Sequence, residues 1–176
     1  MRKILFMKIG VDIYKIADLV LCYCFENAIS ISPLKLQKLL YYIQAWHMVY
    51  FDRAMLFNDK PQAWVNGPVY PSIYTRFKAI PIYQELNPQN TGITNTFEEI
   101  ENELQLDCEQ LQFLNSIFMY YGVMSHDRLV FLTHSEKPWS EQREGLNPFE
   151  HSDKELSTDT MFNYYRDRME RNRAKQ

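Results

Sequence analysis

Apolar residues recur every three or four positions over several stretches of the chain, the spacing of one face of an α-helix. The first stretch runs from about residue 11 to residue 28. A second begins at Ser32-Pro33, because serine caps helices well and proline suits the first helical turn. On this second helix one stripe holds Leu36, Leu39, Leu40, Ile43, His47 and Tyr50, while another side holds Lys35, Lys38, Tyr42 and Ala45. The pattern predicts a helix with one buried face.

The helical pattern stops between residues 58 and 70. Asn58 to Pro61 and Asn66 to Pro68 are typical turn sequences, and residues 63–65 between them predict a short extended piece. A helix is predicted to restart at Pro71. Residues 81–96 contain prolines, asparagines and threonines, and we expect an irregular segment there.

Further helices are predicted in the second half of the chain. One follows Asp107 and ends at Gly122, where a positive φ is expected. Ser125 is predicted to cap a short helix, residues 133–145 to form a loop with one helical turn, and residues 158–171 to form a last helix.

Composition supports a mainly α fold. The 176 residues include only five glycines, and 15% of them are aromatic. We expect one compact helical domain with a small β element around residues 60–70. The expected organisation is an N-terminal extension (1–10), a main domain (11–146), and a polar linker with a basic C-terminal helix (147–176).

Charge is unevenly distributed along the chain. The net charge of −3 gives no general attraction to nucleic acid, and no such partner is expected. No Lys or Arg lies between Lys78 and Arg128, whereas eight acidic residues do. The last eleven residues carry five cations against two acids. The acidic region is either a solvated face or a surface that steers a basic partner protein.

Cysteine usage and hydropathy indicate a reducing compartment. Cys22, Cys24 and Cys108 do not form a disulfide framework, and buried reduced thiols suit the cytoplasm. The most apolar stretch, residues 19–25, is too short to cross a bilayer, and no export signal is recognisable. Met7 is an alternative start to Met1.

No catalytic pattern stands out. His47 lies on the apolar stripe of the second helix and is expected to be a packed core residue, whereas His134 is the best functional candidate among the histidines. The chain has no HExxH, no CxxC and no glycine-rich phosphate loop. We therefore expect a protein without enzymatic activity, cofactor or metal. A small cytoplasmic enzyme with a site near His47, Trp64 and His134 is the alternative.

Three separated segments resemble the Panacea domain. The first is SPLKLQKLLYY (32–42) followed by QAWH (44–47), and the second is AWVNGPVY (63–70). The third is LTH (132–134), followed by Pro138-Trp139 and Arg143. The three occur in the order of that family and span most of the chain.

This resemblance implies an antitoxin of a bacterial or phage toxin–antitoxin pair, which neutralises a toxin protein by binding it. SocA-like members are also regarded as adaptors that deliver the toxin to a ClpXP-type protease, and similar chains are described as phage-associated. The expected partner-binding or motif residues are Lys35, Gln37, Lys38, Tyr41, Trp46, Trp64, Gly67, Pro68, Tyr70, His134 and Trp139.

The motif residues have alternative physical roles. Lys35, Gln37 and Lys38 are expected to contact either the partner or the backbone of this chain. The turn at Gly67-Pro68 is expected to hold the Trp64 side chain against the second helix. A third function, that of a DNA-binding autorepressor using the basic C-terminal helix, also stays open. The oligomeric state and the identity of the toxin are not encoded in these motifs.

Overall fold

Helices dominate the computed structural model, which describes residues 7–175. These residues contain nine α-helices and one two-stranded sheet, with 58% helix, so the predicted mainly α fold is confirmed. The helices are α1 (Ile13–Glu26), α2 (Pro33–Tyr50), α3 (Pro71–Phe77), α4 (Pro88–Thr91), α5 (Phe97–Leu104), α6 (Cys108–Ile117), α7 (His126–His134), α8 (Lys137–Ser140) and α9 (Thr158–Arg173). The strands are β1 (Gln62–Trp64) and β2 (Gly67–Val69), and short π-helical (Phe118–Gly122) and 3₁₀ (Glu141–Arg143) segments follow α6 and α8.

Local signals fix the start of each long helix. The Asp12 carboxylate accepts a hydrogen bond from the Tyr14 amide at the start of α1. The Ser32 hydroxyl accepts one from the Lys35 amide, and Pro33 occupies the first turn of α2. Each cap satisfies a backbone donor that the helix itself leaves without an acceptor. These short-range interactions explain why the sequence predicted the first two helices correctly.

Helix α2 is the centre of the fold. Helices α1, α3, α6, α7 and α9 and strand β2 all pack on it. The prediction that only one face of α2 is buried is wrong, because Lys35, Lys38, Tyr42 and Ala45 on the other side are also buried. Lys35 and Lys38 tolerate burial because their ammonium groups reach backbone carbonyls of neighbouring segments. Tyr50, predicted on the apolar stripe, is 49% exposed because it lies in the last turn.

The predicted β element is an antiparallel hairpin, hereafter the hairpin (62–69). Its register pairs Gln62 with Val69, Ala63 with Pro68 and Trp64 with Gly67. Residues 65 and 66 form the turn, so Gly67 and Pro68 belong to β2 rather than to the turn that the sequence predicted. On the edge of β1 that faces away from β2, the Ala63 amide donates to the carbonyl of Lys154 at 2.8 Å. A segment far along the chain therefore closes this edge.

The acidic stretch forms α5 and α6. Thr96 and Asp107 each begin a helix with a reciprocal capping box, in which Glu99 and Gln110 return the hydrogen bond. Gly122 ends the π-helical segment, but its φ is not positive, so the predicted left-handed cap is wrong. Val123 continues in a right-handed conformation, which leaves no reversal for a left-handed glycine to make.

Helix α9 lies against α2 rather than apart from it. Met161 and Tyr165 are fully buried, and the polar face of the helix carries most of its arginines. The basic C-terminal helix thus contributes side chains to the same core as α2. No helix within residues 7–175 is long and apolar enough to span a bilayer.

Candidate functional site

Two polar residues of α2 hold the hairpin from one side. The Gln37 side-chain amide donates to the Tyr70 carbonyl at 3.2 Å and accepts from the Tyr70 amide at 2.8 Å. From the next residue of the helix, the Lys38 ammonium donates to the Pro68 carbonyl at 2.9 Å. Gln37 and Lys38 were expected to contact either the partner or the backbone of this chain. In the structure both contact the backbone.

Gly67 allows the hairpin to come this close to α2. Its φ is +99°, a conformation that residues with a Cβ rarely adopt. A Cβ built there would lie 2.7 Å from Lys38 Cε and 2.8 Å from Thr133 Oγ1. Both the backbone conformation and the lack of space for a Cβ therefore require glycine at position 67 of the second motif.

The segment after α7 holds the hairpin from the other side. The Trp139 indole donates to the Trp64 carbonyl at 2.9 Å, and the Arg143 guanidinium donates to the Ala63 carbonyl at 2.9 Å. Arg143 also donates to the Glu150 carbonyl at 2.7 Å, which ties down the loop before α9. His134 stacks on Trp139 with ring centroids 4.0 Å apart. The third sequence motif thus folds onto the second.

The hairpin clamp, meaning Gln37, Lys38, Trp139 and Arg143, sits in a poorly hydrated environment. Burial lowers the pKa of Lys38 to about 7, since no carboxylate within residues 7–175 lies within ion-pair distance of it. The pKa of His134 is lowered first by burial and then by the charges of Lys38 and Arg143, and its backbone hydrogen bond with Val65 opposes the shift. Burying the charges of Lys38 and Arg143 costs free energy, and backbone carbonyls accept hydrogen bonds from both groups.

Tyr41 and Trp46 lie elsewhere on α2, against α9 and the π-helical segment. The Trp46 indole donates to the Tyr121 hydroxyl at 2.8 Å. Next to it, the buried Glu136 carboxylate accepts hydrogen bonds from Tyr165 at 2.5 Å and from Arg168 at 2.8 Å. Burial raises the pKa of Glu136, whereas these hydrogen bonds and the Arg168 charge oppose that shift. This network attaches α9 to the main body, and motif inspection missed it because Glu136 is a single acid in a non-repeating segment.

A groove opens beside the hairpin, and Trp139 does not line it. It has a volume of about 250 Å³. Its walls come from the start of α2, the hairpin, α3 and the segment that follows α3. Most lining residues are apolar or aromatic: Pro33, Leu34, Trp64, Val65, Val69, Ile73, Tyr74, Phe77, Ile80, Pro81 and Ile82. Gln37, Asn66, Lys78 and His151 complete it, and we call it the apolar groove.

Trp64 is a wall of this groove rather than a core residue. Its ring lies 4.8 Å from that of Tyr74 and 5.3 Å from that of His151, and its indole donates to the Gln62 side chain. The aromatic contacts of Trp64 are therefore with α3 and with the loop before α9, whereas strand β2 makes most of the contacts of the hairpin with α2.

The structure does not bring His47 and His134 together. His47 is fully buried, with Nδ1 2.8 Å from the Ala54 carbonyl and Nε2 3.1 Å from the Gln110 side chain. Burial lowers the pKa of His47 to about 4. His134 instead lies near Lys38, roughly 13 Å along α2 from His47 at 1.5 Å per residue. No group of three or more His, Cys, Asp or Glu in the described part of the chain is arranged to hold a metal ion.

Sequence reasoning found the residues that support the groove but missed most of those that line it. Leu34, Val69, Ile73 and Phe77 looked like ordinary core positions, and nothing in their spacing shows that they leave a recess. Their common signal is position, since Leu34 and Val69 lie within the first and second motifs and Ile73 and Phe77 lie in α3, which follows the second. Gln37 and Trp64 belong to both sets.

Comparison with known proteins gives one match. The family model described as antitoxin SocA-like, Panacea domain, matches residues 36–140. This range contains Gln37, Lys38, the hairpin and Trp139, and it ends before Arg143 and α9. No curated protein and no solved structure matches the chain.

Proposed function

The chain belongs to the SocA-like antitoxin family with a Panacea domain, and on this premise we propose that it neutralises a partner toxin by binding the toxin protein directly. The apolar groove is the proposed contact surface. An apolar recess walled by tryptophan, tyrosine and phenylalanine is the type of surface that anchors protein interfaces.

The backbone of the hairpin supports recognition through side chains. A partner could add a strand only where backbone donors and acceptors are unused. At the outward-facing positions, the Ala63 amide donates to Lys154, the Ala63 carbonyl accepts from Arg143, and the Pro68 carbonyl accepts from Lys38. Proline has no amide hydrogen to offer. The toxin segment is therefore proposed to insert apolar side chains into the groove rather than to extend the sheet.

The clamp residues position this surface. Gln37 and Lys38 fix the hairpin to α2, and Trp139 and Arg143 fix it to the segment after α7. In this proposal Lys38, Gly67, Pro68, Tyr70, His134 and Trp139 are supporting residues, whereas Trp64 is a direct contact. Binding either occludes the active surface of the toxin or presents it to a ClpXP-type protease.

The test is co-expression of the chain with each neighbouring reading frame. A frame that stops growth alone, and that is rescued by and co-purifies with this protein, supports the antitoxin function. If no neighbouring frame is toxic and rescued, the proposed function is rejected.

A matched pair of tyrosines tests the groove separately. Tyr74 is 41% exposed in the groove, and Tyr120 is 57% exposed on the π-helical segment. Tyr74→Glu should weaken toxin binding at least about tenfold, because it places a charge in an apolar contact. Tyr120→Glu should leave binding unchanged. Equal rescue by both variants would keep the antitoxin function but reject the groove as its contact surface.

A protease-deficient strain separates the two routes of neutralisation. Occlusion predicts that rescue and toxin half-life are the same with and without ClpXP. Delivery to the protease predicts that rescue is lost in its absence while co-purification persists.

A further inference from the structure

A second recess lies on the other side of the segment that borders the apolar groove. Pro81 and Ile82 line the groove, whereas Tyr83 lines the second recess, whose volume is about 510 Å³. Its polar lining comes from Ser30, Ser32, Lys35, Tyr83, Glu85, Ser125 and His126. We call it the Lys35 pocket. It lies where α2 and α7 both begin.

Lys35 brings an uncompensated positive charge to this pocket. Lys35 is only 5% exposed, and its ammonium donates one hydrogen bond, to the Ser30 carbonyl at 2.8 Å. No carboxylate in the described chain lies within 4.0 Å of it. An ammonium has three N–H donors, so two are left for a ligand. A buried cation without a counter-ion favours the binding of an anion.

The start of α7 adds donors of the same polarity. Ser125 caps this nine-residue helix by accepting a hydrogen bond from the Arg128 amide at 3.2 Å. The His126 amide, in the first turn, donates no hydrogen bond to any residue between 7 and 175. First-turn amides and the helix dipole attract anions. The His126 ring lies 5.2 Å from that of Tyr83, so both side chains close the same pocket.

We propose that the Lys35 pocket binds an oxyanion, either a carboxylate or a phosphate. The anion accepts hydrogen bonds from the Lys35 ammonium and the His126 amide, and the serine hydroxyls and Tyr83 complete its shell. Glu85 also lines the pocket and opposes anion binding. Anion binding does not depend on the toxin or on the apolar groove, so it stands or falls independently of the proposed function.

The test is a titration of the purified chain followed by ¹H–¹⁵N correlation spectra. Sodium phosphate and sodium acetate are added separately, with sodium chloride adjusted to hold the ionic strength constant. We expect saturable shifts of the Lys35, Ser125 and His126 amides. Saturation by both salts indicates a general oxyanion site, saturation by phosphate alone indicates a phosphate site, and saturation by acetate alone indicates a carboxylate site. Shifts that are absent, or that never saturate in the unmodified chain, overturn the proposal.

Three variants check that the pocket itself is responsible. Lys35→Met keeps the length of the side chain and should weaken binding at least about tenfold, because it removes a charge-assisted donor. Lys78→Met removes an exposed lysine of the apolar groove and should leave binding unchanged. Glu85→Gln should tighten binding about two- to threefold by removing a repulsive charge. If Lys35→Met does not fold, unchanged affinity in Glu85→Gln combined with weakened affinity in Lys78→Met would overturn the assignment to this pocket.

Discussion

Replacing the buried Lys38 by methionine should change how stability depends on pH. Lys38 is fully buried, and its ammonium donates to the Pro68 carbonyl of the hairpin. Methionine fills a similar volume without a titratable group. Wild type and Lys38→Met should therefore differ most where Lys38 changes its protonation on unfolding.

The size and sign of the effect follow from the pKa of Lys38. Burial lowers this pKa from 10.5 in the unfolded chain to about 7 in the folded protein. Below pH 7 both states carry the proton, so the full cost of the buried charge is present. Above it the unfolded state binds more protons, and the free energy of unfolding rises with pH. The rise approaches about 1.4 kcal/mol per pH unit and amounts to about 1.5 kcal/mol between about pH 7 and 8.5.

The difference between wild type and Lys38→Met isolates Lys38, because Lys35, whose pKa burial also lowers, is present in both proteins. The pKa of His47 is lowered to about 4, so its contribution changes between that value and its ordinary value of 6.5. The pKa of Cys22 is raised from 9.0 to about 11, so it affects stability only at higher pH. Neither range overlaps the window strongly.

The assay is urea denaturation of wild type, Lys38→Met and the control Lys60→Met at closely spaced pH values. Lys60 is an exposed lysine paired with Glu155 at 3.6 Å, so Lys60→Met should keep the wild-type slope. Lys38→Met should give a nearly flat profile across the window. Parallel profiles for wild type and Lys38→Met would refute the argument that burial lowers the pKa of Lys38 in the folded protein.

Three further predictions concern the clamp and the attachment of α9. Gly67→Ala should lower the free energy of unfolding by about 3 kcal/mol in chemical denaturation, because it adds backbone strain and a clash with Thr133; a loss below about 1 kcal/mol would mean that the hairpin moves away easily. Glu136→Gln should cost about 2 kcal/mol, because Arg168 loses its ionised partner, and an unchanged melting temperature would contradict this. Arg143→Met should lower the free energy of unfolding by about 2 kcal/mol, since four carbonyls lose their donor. It should also speed amide hydrogen exchange at Ala63 and in the loop before α9. Unchanged exchange would show that Arg143 does not hold that loop.

The sequence predicted elements whose signals are local. Ser32-Pro33 marks the start of α2, and Ser125 marks that of α7, because each cap is made within three residues of the helix start. The small β element was also predictable, since apolar residues lie between two turn sequences. These features need no knowledge of what packs against them.

The burial of α2 was not predictable from its own pattern. Polar residues at helical spacing usually mark a solvated face. Here Gln37, Lys38 and Gln44 reach backbone groups of Tyr70, Pro68 and Phe57, which follow 13 to 33 residues later. The acceptors that make the polar side chains tolerable exist only after the chain has folded. Residue type alone therefore gave the wrong side to solvent.

The apolar groove escaped prediction for a related reason. A recess is a property of the gap between elements, and residues that line a gap have the same composition as residues that fill a core. Gln37, Gly67 and Trp139 were identified because they lie in the segments that resemble the Panacea domain. The sequence did not identify Leu34 or Phe77, whose chemistry is ordinary.

This division between supporting and lining residues bears on how one domain type can serve different partners. The clamp uses side chains that bond to backbone carbonyls, as Lys38 does at Pro68 and Trp139 does at Trp64. Apart from the need for glycine at position 67, these backbone contacts place no demand on the side chains of the hairpin, so Val65 or Val69 can change without disturbing the clamp. The groove can then acquire a new shape while its frame stays the same. We expect partner choice to lie in groove-lining side chains that the clamp does not use, such as Val65, Val69, Ile73 and Phe77.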